Sequence, residues 1–299
     1  MTDQDMTFTL AHLSDPHLAP LPQPHVSELF SKRITGYINW QRKRRFVHDR
    51  GVLDALITDL KAQMPDHIAV TGDLANIALE EEFVRGRKWL QDLGSLRDVS
   101  FVPGNHDAYV RQAFRYAPQW APYMSGDDGA VGFPYLRRRG SVALIGVSTG
   151  VSTPPFMATG WLGAMQLDAL GKLLHALKYE SVFRVVLIHH PPVSAAARHK
   201  RLKDADALKR VIAAYGAELL LHGHDHLAML NWLDGPDGAR VPAIGVPSAS
   251  AAPGMSHDAA AYNIYTIDGA PGAWTCEVVA RGMGADGTIG ELRRMSLAG

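Results

Sequence analysis

The chain is poor in the features that would place it in a special class. Its 299 residues include a single cysteine, Cys276, which excludes an internal disulfide framework and suits a reducing compartment. Its 30 Lys and Arg are balanced by 30 Asp and Glu. With no net charge there is no global field for nucleic acid, and no specific nucleic-acid binding is expected. The opening MTDQDMTFTL is acidic and lacks the apolar region of a secretory signal. The longest apolar runs are strand-length, well short of the ~20 residues that span a bilayer. A cytoplasmic location is therefore expected. Internal repeats and low-complexity linkers are also missing, so a single domain is expected over 1–282.

What is present is an alternation of short and long patterns. Runs rich in β-branched residues predict strands at 8–14, 67–72, 99–104, 141–148, 184–190 and 217–223. Their near-continuous apolar content predicts burial on both faces, as in a sheet covered by helices. Helical spacing recurs at 51–63, 79–93, 164–178 and 203–214; in the first of these, Val52, Leu53, Leu56, Ile57 and Leu60 share a face. Past residue 240, the stretches VPAIGVPSAS, AYNIYTID and AWTCEVVA read as strands without intervening helices, an antiparallel extension of the same domain. Residues 283–299 show little periodicity and are expected to be a surface tail.

The polar residues fall where these strands end. The first runs into Asp15-Pro16-His17, the second into Gly72-Asp73 and the third into Gly104-Asn105-His106-Asp107. Later ends carry His189-His190-Pro191-Pro192 and His222-Gly223-His224-Asp225-His226. Taken alone, PGNHD is a turn, since Pro, Gly, Asn and Asp all favour turns. However, seven of the 14 histidines lie in these segments. In α/β sheets ligands bind outside the carboxyl ends of the strands, so five strand ends of one sheet would converge on one site. Carboxylates, an amide oxygen and several imidazoles suit Mn²⁺, Fe, Co²⁺ or Zn²⁺ better than Ca²⁺ or Mg²⁺. The number of candidate ligands exceeds what one ion takes while leaving room for substrate. Two ions ~3.5–4 Å apart with a bridging carboxylate fit the count.

At these residues the sequence resembles the calcineurin-like metallophosphoesterase superfamily, whose ordered pattern is D-x-H, G-D, G-N-H-D/E, a lone H, then G-H-x-H. The spacing is similar to the bacterial branch containing class III cyclic-nucleotide and glycerophosphodiester phosphodiesterases. The resemblance implies a four-layer α/β/β/α sandwich with its metal site at the strand ends. It implies that Asp15, His17, Asp73 and His226 hold one metal, while Asp73, Asn105, His189 and His224 hold the second. Manganese or iron is the expected occupant, with zinc or cobalt next. It further implies that His106 touches the substrate phosphate or leaving oxygen, with Asp107 orienting His106. His190 is the alternative to its neighbour His189, and His222 reads as a supporting or strand-end residue.

The expected chemistry is phosphodiester hydrolysis of a small substrate, by in-line attack of a metal-bridged hydroxide. The sequence commits to no particular nucleotide. A phosphomonoesterase, a nucleotide-sugar or lipid-linked pyrophosphatase, and a non-catalytic scaffold are the alternatives. Residues 31–50 stand outside the motif, with seven Lys or Arg against the single acid Asp49. Phe30, Ile34, Tyr37, Ile38 and Trp40 recur there at roughly helical spacing. Two readings stay open for this insertion: a surface helix packing its apolar side on the core, or a cap over the metal cleft. As a cap it would offer Arg42, Arg44 and Arg45 to an anionic substrate, or make peripheral contact with anionic lipid.

Overall fold

The computed structural model describes residues 7–254, 257–284 and 286–297. Among these, the strands form two six-stranded sheets. In the first, β1 (Phe8–Leu13), β2 (His67–Val70) and β3 (Val99–Phe101) are parallel. In the second, the parallel strands are β5 (Val142–Gly146), β6 (Phe183–Leu187), β7 (Leu219–His222) and β9 (Arg240–Gly245). Its edges are the antiparallel β4 (Tyr135–Arg139) and β8 (Met229–Asp234). The first sheet continues from β1 through β10 (Ala261–Asp268), β11 (Thr275–Met283) and β12 (Ile289–Ser296), all antiparallel. The helices are α1 (Arg33–Arg42), α2 (Arg50–Ala62), α3 (Glu80–Leu93), α4 (Ala164–Leu177) and α5 (Ala205–Tyr215). None of the described helices is long and apolar enough to cross a membrane.

Side-chain alternation explains why the strand sequences are apolar throughout. Val142, Leu144, Val185, Leu187, Leu219 and Leu221 point inward and share a core with Leu10 and Leu13 of the facing sheet. Their neighbours Ala143, Ile145, Val186 and Leu220 point outward against Leu170 and Leu174 of α4 and Leu208 and Ile212 of α5. On the far side α2 packs across β10, β11 and β12. Asp49 caps α2 by accepting the Val52 N–H at 2.9 Å. Leu53, Leu56 and Leu60 of α2 are fully buried, each contributing ~1.5–3 kcal/mol. This is the expected four-layer α/β/β/α sandwich.

Three expectations are corrected. The motif-bearing strands belong to two sheets, β1 to β3 in one and β6 and β7 in the other, so the site lies where the carboxyl ends of strands from both sheets meet. Past residue 240 only β10 to β12 extend antiparallel, because β9 pairs parallel with β7 in the second sheet. Within the expected tail, residues 289–296 form edge strand β12 along β11. Most of its side chains are exposed, so its order comes from backbone pairing, which leaves no apolar period to read.

Candidate metal centre

Register brings the motif loops level. Leu13 lies opposite Val70, Val70 opposite Phe101, and Leu187 opposite Leu221. The loops then zip together: the Asp15 N–H donates to Gly72 O, His17 N–H to Asp73 O, and Gly223 N–H to His189 O, each at 3.0 Å. Five site residues sit in the left-handed region, with φ of 52° at Asp15, 38° at His17, 57° at Asp73, 72° at His224 and 56° at His226. Such backbone costs of order 1–3 kcal/mol per residue and clusters at functional sites. Glycine precedes two of the motifs for steric room. A Cβ at Gly104 would strike the Asp73 carboxylate, and one at Gly223 would strike Ser14 and Asp15.

The expected ligands converge. Donor atoms of Asp15, His17 and His226 lie within 4.8 Å of one another, as do those of Asp15, Asp73 and His189. Asp73 stands between the groups, its Oδ2 3.8 Å from His17 Nε2 and 3.4 Å from His189 Nε2. Its Oδ1 accepts the His106 backbone N–H at 2.7 Å. Asn105 Oδ1 is 3.2 Å from His189 Nε2. Two of the inward-facing imidazoles are oriented from behind, His17 by donating Nδ1–H to Ala75 O at 3.0 Å and His189 to Thr71 O at 2.7 Å. This carbonyl support is the usual means of presenting the second ring nitrogen to a metal.

The donor set fits a cation pair. Asp15 Oδ1 and His17 Nε2 are fully buried and 3.9 Å apart; His17 Nε2 has no hydrogen-bond partner, and Asp15 Oδ1 faces only the His226 Nε2, 3.2 Å away, among the described residues. Buried polar atoms left like this cost ~1–3 kcal/mol each unless something satisfies them. Burial alone would raise the Asp15 carboxyl, but His226 and His189 hold it below the ordinary range. His189 responds in kind: burial disfavours its charge, yet Asp73 and Asp15 push it up to about 10. Two buried carboxylates thus draw a positive charge to this point, and a metal cation can supply it in place of that proton.

The family profile described as calcineurin-like phosphoesterase matches residues 8–228. The chain belongs to that family. A curated relative, named a probable cyclic nucleotide phosphodiesterase of Synechococcus sp., is 26% identical over 229 residues, covering 75% of this chain and 76% of the relative. Among solved structures, a dimetal phosphatase from Danio rerio superposes with a TM-score of 0.63 at 15% identity, over 97% of this chain and 98% of that one. A purple acid phosphatase from yellow lupin gives 0.58 at 12% identity, over 98% of this chain and 54% of that one. The two structures show a shared fold. Family membership makes the chain a hydrolase of phosphoesters.

Other expected residues of this phosphoesterase fall differently. Asp107 does not orient His106. Its carboxylate accepts N–H bonds from Gly104 and Asp73 at 2.8 Å and from Ala75 at 2.9 Å. It therefore pins two motif loops together; burial and the Asp73 charge push it up to about 7. His106 is instead held by Asn76 O, 2.5 Å from its Nδ1. His190 lies near His189 and His224, but both of its nitrogens are engaged, Nδ1 with Thr149 Oγ1 at 2.7 Å and Nε2 with Ala158 O at 3.1 Å. His222 is buried in β7 with Nε2 unpartnered. His224 turns Nε2 to Lys200 O at 2.7 Å and groups with His189 and His190.

Of the three arginines singled out in the insertion, one reaches the site. Arg44 Nη1 lies 2.8 Å from His106 Nε2, and Nη2 lies 3.2 Å from His48 Nε2. Arg42 and Arg45 are exposed, and among the described residues Arg45 hydrogen-bonds only Gln41 Oε1, at 3.2 Å. His48 is the residue the sequence concealed. It is buried, its ring centroid 4.4 Å from that of His17, and Nδ1 meets Ser250 Oγ at 2.9 Å. It lies in a basic run without a motif, and only its pairing with the 250–252 segment brings it to the centre.

Proposed function

We propose that this phosphoesterase hydrolyses phosphodiesters at a dinuclear metal centre. Asp15, His17 and His226 would hold one ion and Asn105, His189 and His224 the other, with Asp73 shared between them. The observation that carries this reading is the buried His17 Nε2, which has no hydrogen-bond partner and faces the carboxylates of Asp15 and Asp73 at 3.9 and 3.8 Å. Manganese or iron suits the mixed oxygen and imidazole set, and zinc or cobalt would also be accepted. When bound, such a pair neutralises phosphoryl oxygens and supplies a nucleophile at neutral pH.

The chain's own groups do the rest. His106 is fixed with Nδ1–H on Asn76 O, so Nε2 is the nitrogen turned to the cleft. Burial and the Arg44 charge push His106 down to about 3, which keeps it neutral while Arg44 rests on it. An anionic phosphoryl group competes for Arg44 and offsets its charge, so the ring can take a proton from solvent at Nε2, and Nε2–H then donates that proton to the leaving oxygen. Arg44 then serves as the cationic contact to substrate. The name of the curated relative favours diesters over monoesters.

Metal analysis of purified protein, with turnover of bis(4-nitrophenyl) phosphate against 4-nitrophenyl phosphate, tests the proposal. Two equivalents of metal and faster diester hydrolysis are expected. Asp73→Asn should lower the content at both positions, since a neutral amide cannot offset two cations. Full metal in an active Asp73→Asn enzyme would sink the shared-carboxylate assignment, and faster monoester hydrolysis would make the chain a phosphomonoesterase.

A further inference from the structure

The helix of the insertion has two apolar faces, and the core uses only one. Trp40 is buried and Tyr37 packs on the core, while Gly36 closes against Ile77 and Tyr109. On the other side Ile34 and Ile38 form an i, i+4 ridge with exposures of 48% and 44%, and Phe30 just before the helix is 85% exposed. Phe46 beyond its end is 57% exposed. Four large apolar side chains in one short segment exceed the scatter of single hydrophobics that a soluble surface carries.

Cations flank this face. Arg42 follows Ile38 on the ridge, Lys43 comes next, and the Arg45 guanidinium lies 4.6 Å from the centre of the Phe46 ring. All three are exposed. None takes part in an ion pair among the described residues. The nearby acids are engaged with backbone: Asp49 caps α2, and Glu28 accepts the His25 N–H at 2.9 Å. The positive charge is local, because the chain as a whole is neutral.

We propose that this outer face of the cap docks on an anionic phospholipid bilayer. Apolar side chains beside uncompensated Lys and Arg match an interface of anionic headgroups over hydrocarbon. A second copy is the poorer partner, since a two-fold contact would set these cations against themselves. The same segment carries Arg44 to His106, so docking brings the cleft to headgroup level, where phosphodiesters of lipids lie. This last consequence rests on the diesterase reading; the docking itself does not.

The test is co-sedimentation of the full chain with vesicles of phosphatidylcholine, with and without phosphatidylglycerol, at low and high salt. Binding only to the anionic vesicles is expected, weakening as salt rises. Replacing Arg42, Lys43 and Arg45 by Gln should weaken it about a hundredfold, at the ~1 kcal/mol per cation found near an anionic surface. Phe30→Ser, Ile34→Ser and Ile38→Ser together should abolish the binding while leaving turnover of bis(4-nitrophenyl) phosphate at the wild-type level. Equal sedimentation with both vesicle types would overturn the proposal, as would anionic binding that survives both sets of changes. A wild-type dimer that the serine changes dissociate, with no vesicle binding, would assign the face to a second copy instead.

Discussion

At the scale of single residues, the two side chains after Asn105 divide their work in an unexpected way. His106 presents Nε2 to the cleft beneath Arg44, whereas Asp107 faces away and collects backbone N–H groups from two loops. Their variants should therefore fail differently. Asp107→Ala removes acceptors from three buried donors, at ~1 kcal/mol or more each. Urea unfolding should show a loss of about 3 kcal/mol, with reduced metal retention as the loops separate. His106→Ala should stay within about 1 kcal/mol of wild type and lose ~10²–10⁴ in turnover. Equal stability of the two proteins would return Asp107 to the role of orienting its neighbour.

At the scale of elements, the insertion helix α1 is attached by polar anchors. Arg33 is only 5% exposed; its Nε donates to Ile77 O at 3.0 Å and its Nη2 to Ala78 O. Lys32 Nζ donates to Thr153 Oγ1 at 2.8 Å and Met157 O at 3.1 Å, and lies 4.3 Å from the Tyr109 ring centre. These contacts tie α1 to loops from both sheets, while its outer face stays open. Arg33→Ala should lower the free energy of local opening more than that of global unfolding. Limited trypsin digestion, followed by mass spectrometry, should then cut within 42–45 roughly tenfold faster, a factor that corresponds to ~1.4 kcal/mol. Arg42→Ala, which removes an exposed side chain, should not accelerate the remaining cuts. Similar rates for the two variants would mean that apolar packing of Trp40 and Tyr37 alone seats α1.

At the scale of the whole molecule, buried histidines make stability depend on acid. His67 at the start of β2 is fully buried, with Nε2 2.8 Å from Ser100 Oγ, and is remote from the metal centre in the chain's layout. Burial, reinforced by Arg139 and Arg137, pushes it down to about 3. Between that value and the ordinary one near 6.5, the unfolded chain binds a proton that the folded chain refuses. Stability is therefore intact above about pH 6.5 and falls as pH drops, by about 1.4 kcal/mol per pH unit for one proton. In chelated protein, His67→Gln should flatten the fall of the urea midpoint between about pH 6 and pH 4 relative to wild type. Parallel curves would show that His67 titrates normally in the fold.

The sequence by itself determined which polar residues stand together at the strand ends and most of the sandwich. Asp15, His17, Asp73, Asn105, His189, His224 and His226 were legible as candidates because sites in α/β sheets lie where strands end, and buried strands announce themselves by continuous apolar runs. β4, β8 and β12 were not legible, since edge strands are held by backbone pairing and keep polar or exposed side chains. The assignment of strands to two sheets was equally hidden, because partner choice leaves no mark on a strand's own composition. Only tertiary structure placed His48 beside His17, separated Arg44 from Arg42 and Arg45, and turned Asp107 toward the backbone. Those outcomes depend on the direction in which a side chain leaves its loop. Left-handed φ values and contacts from residues as distant as Ser250 set that direction, and local spacing carries neither.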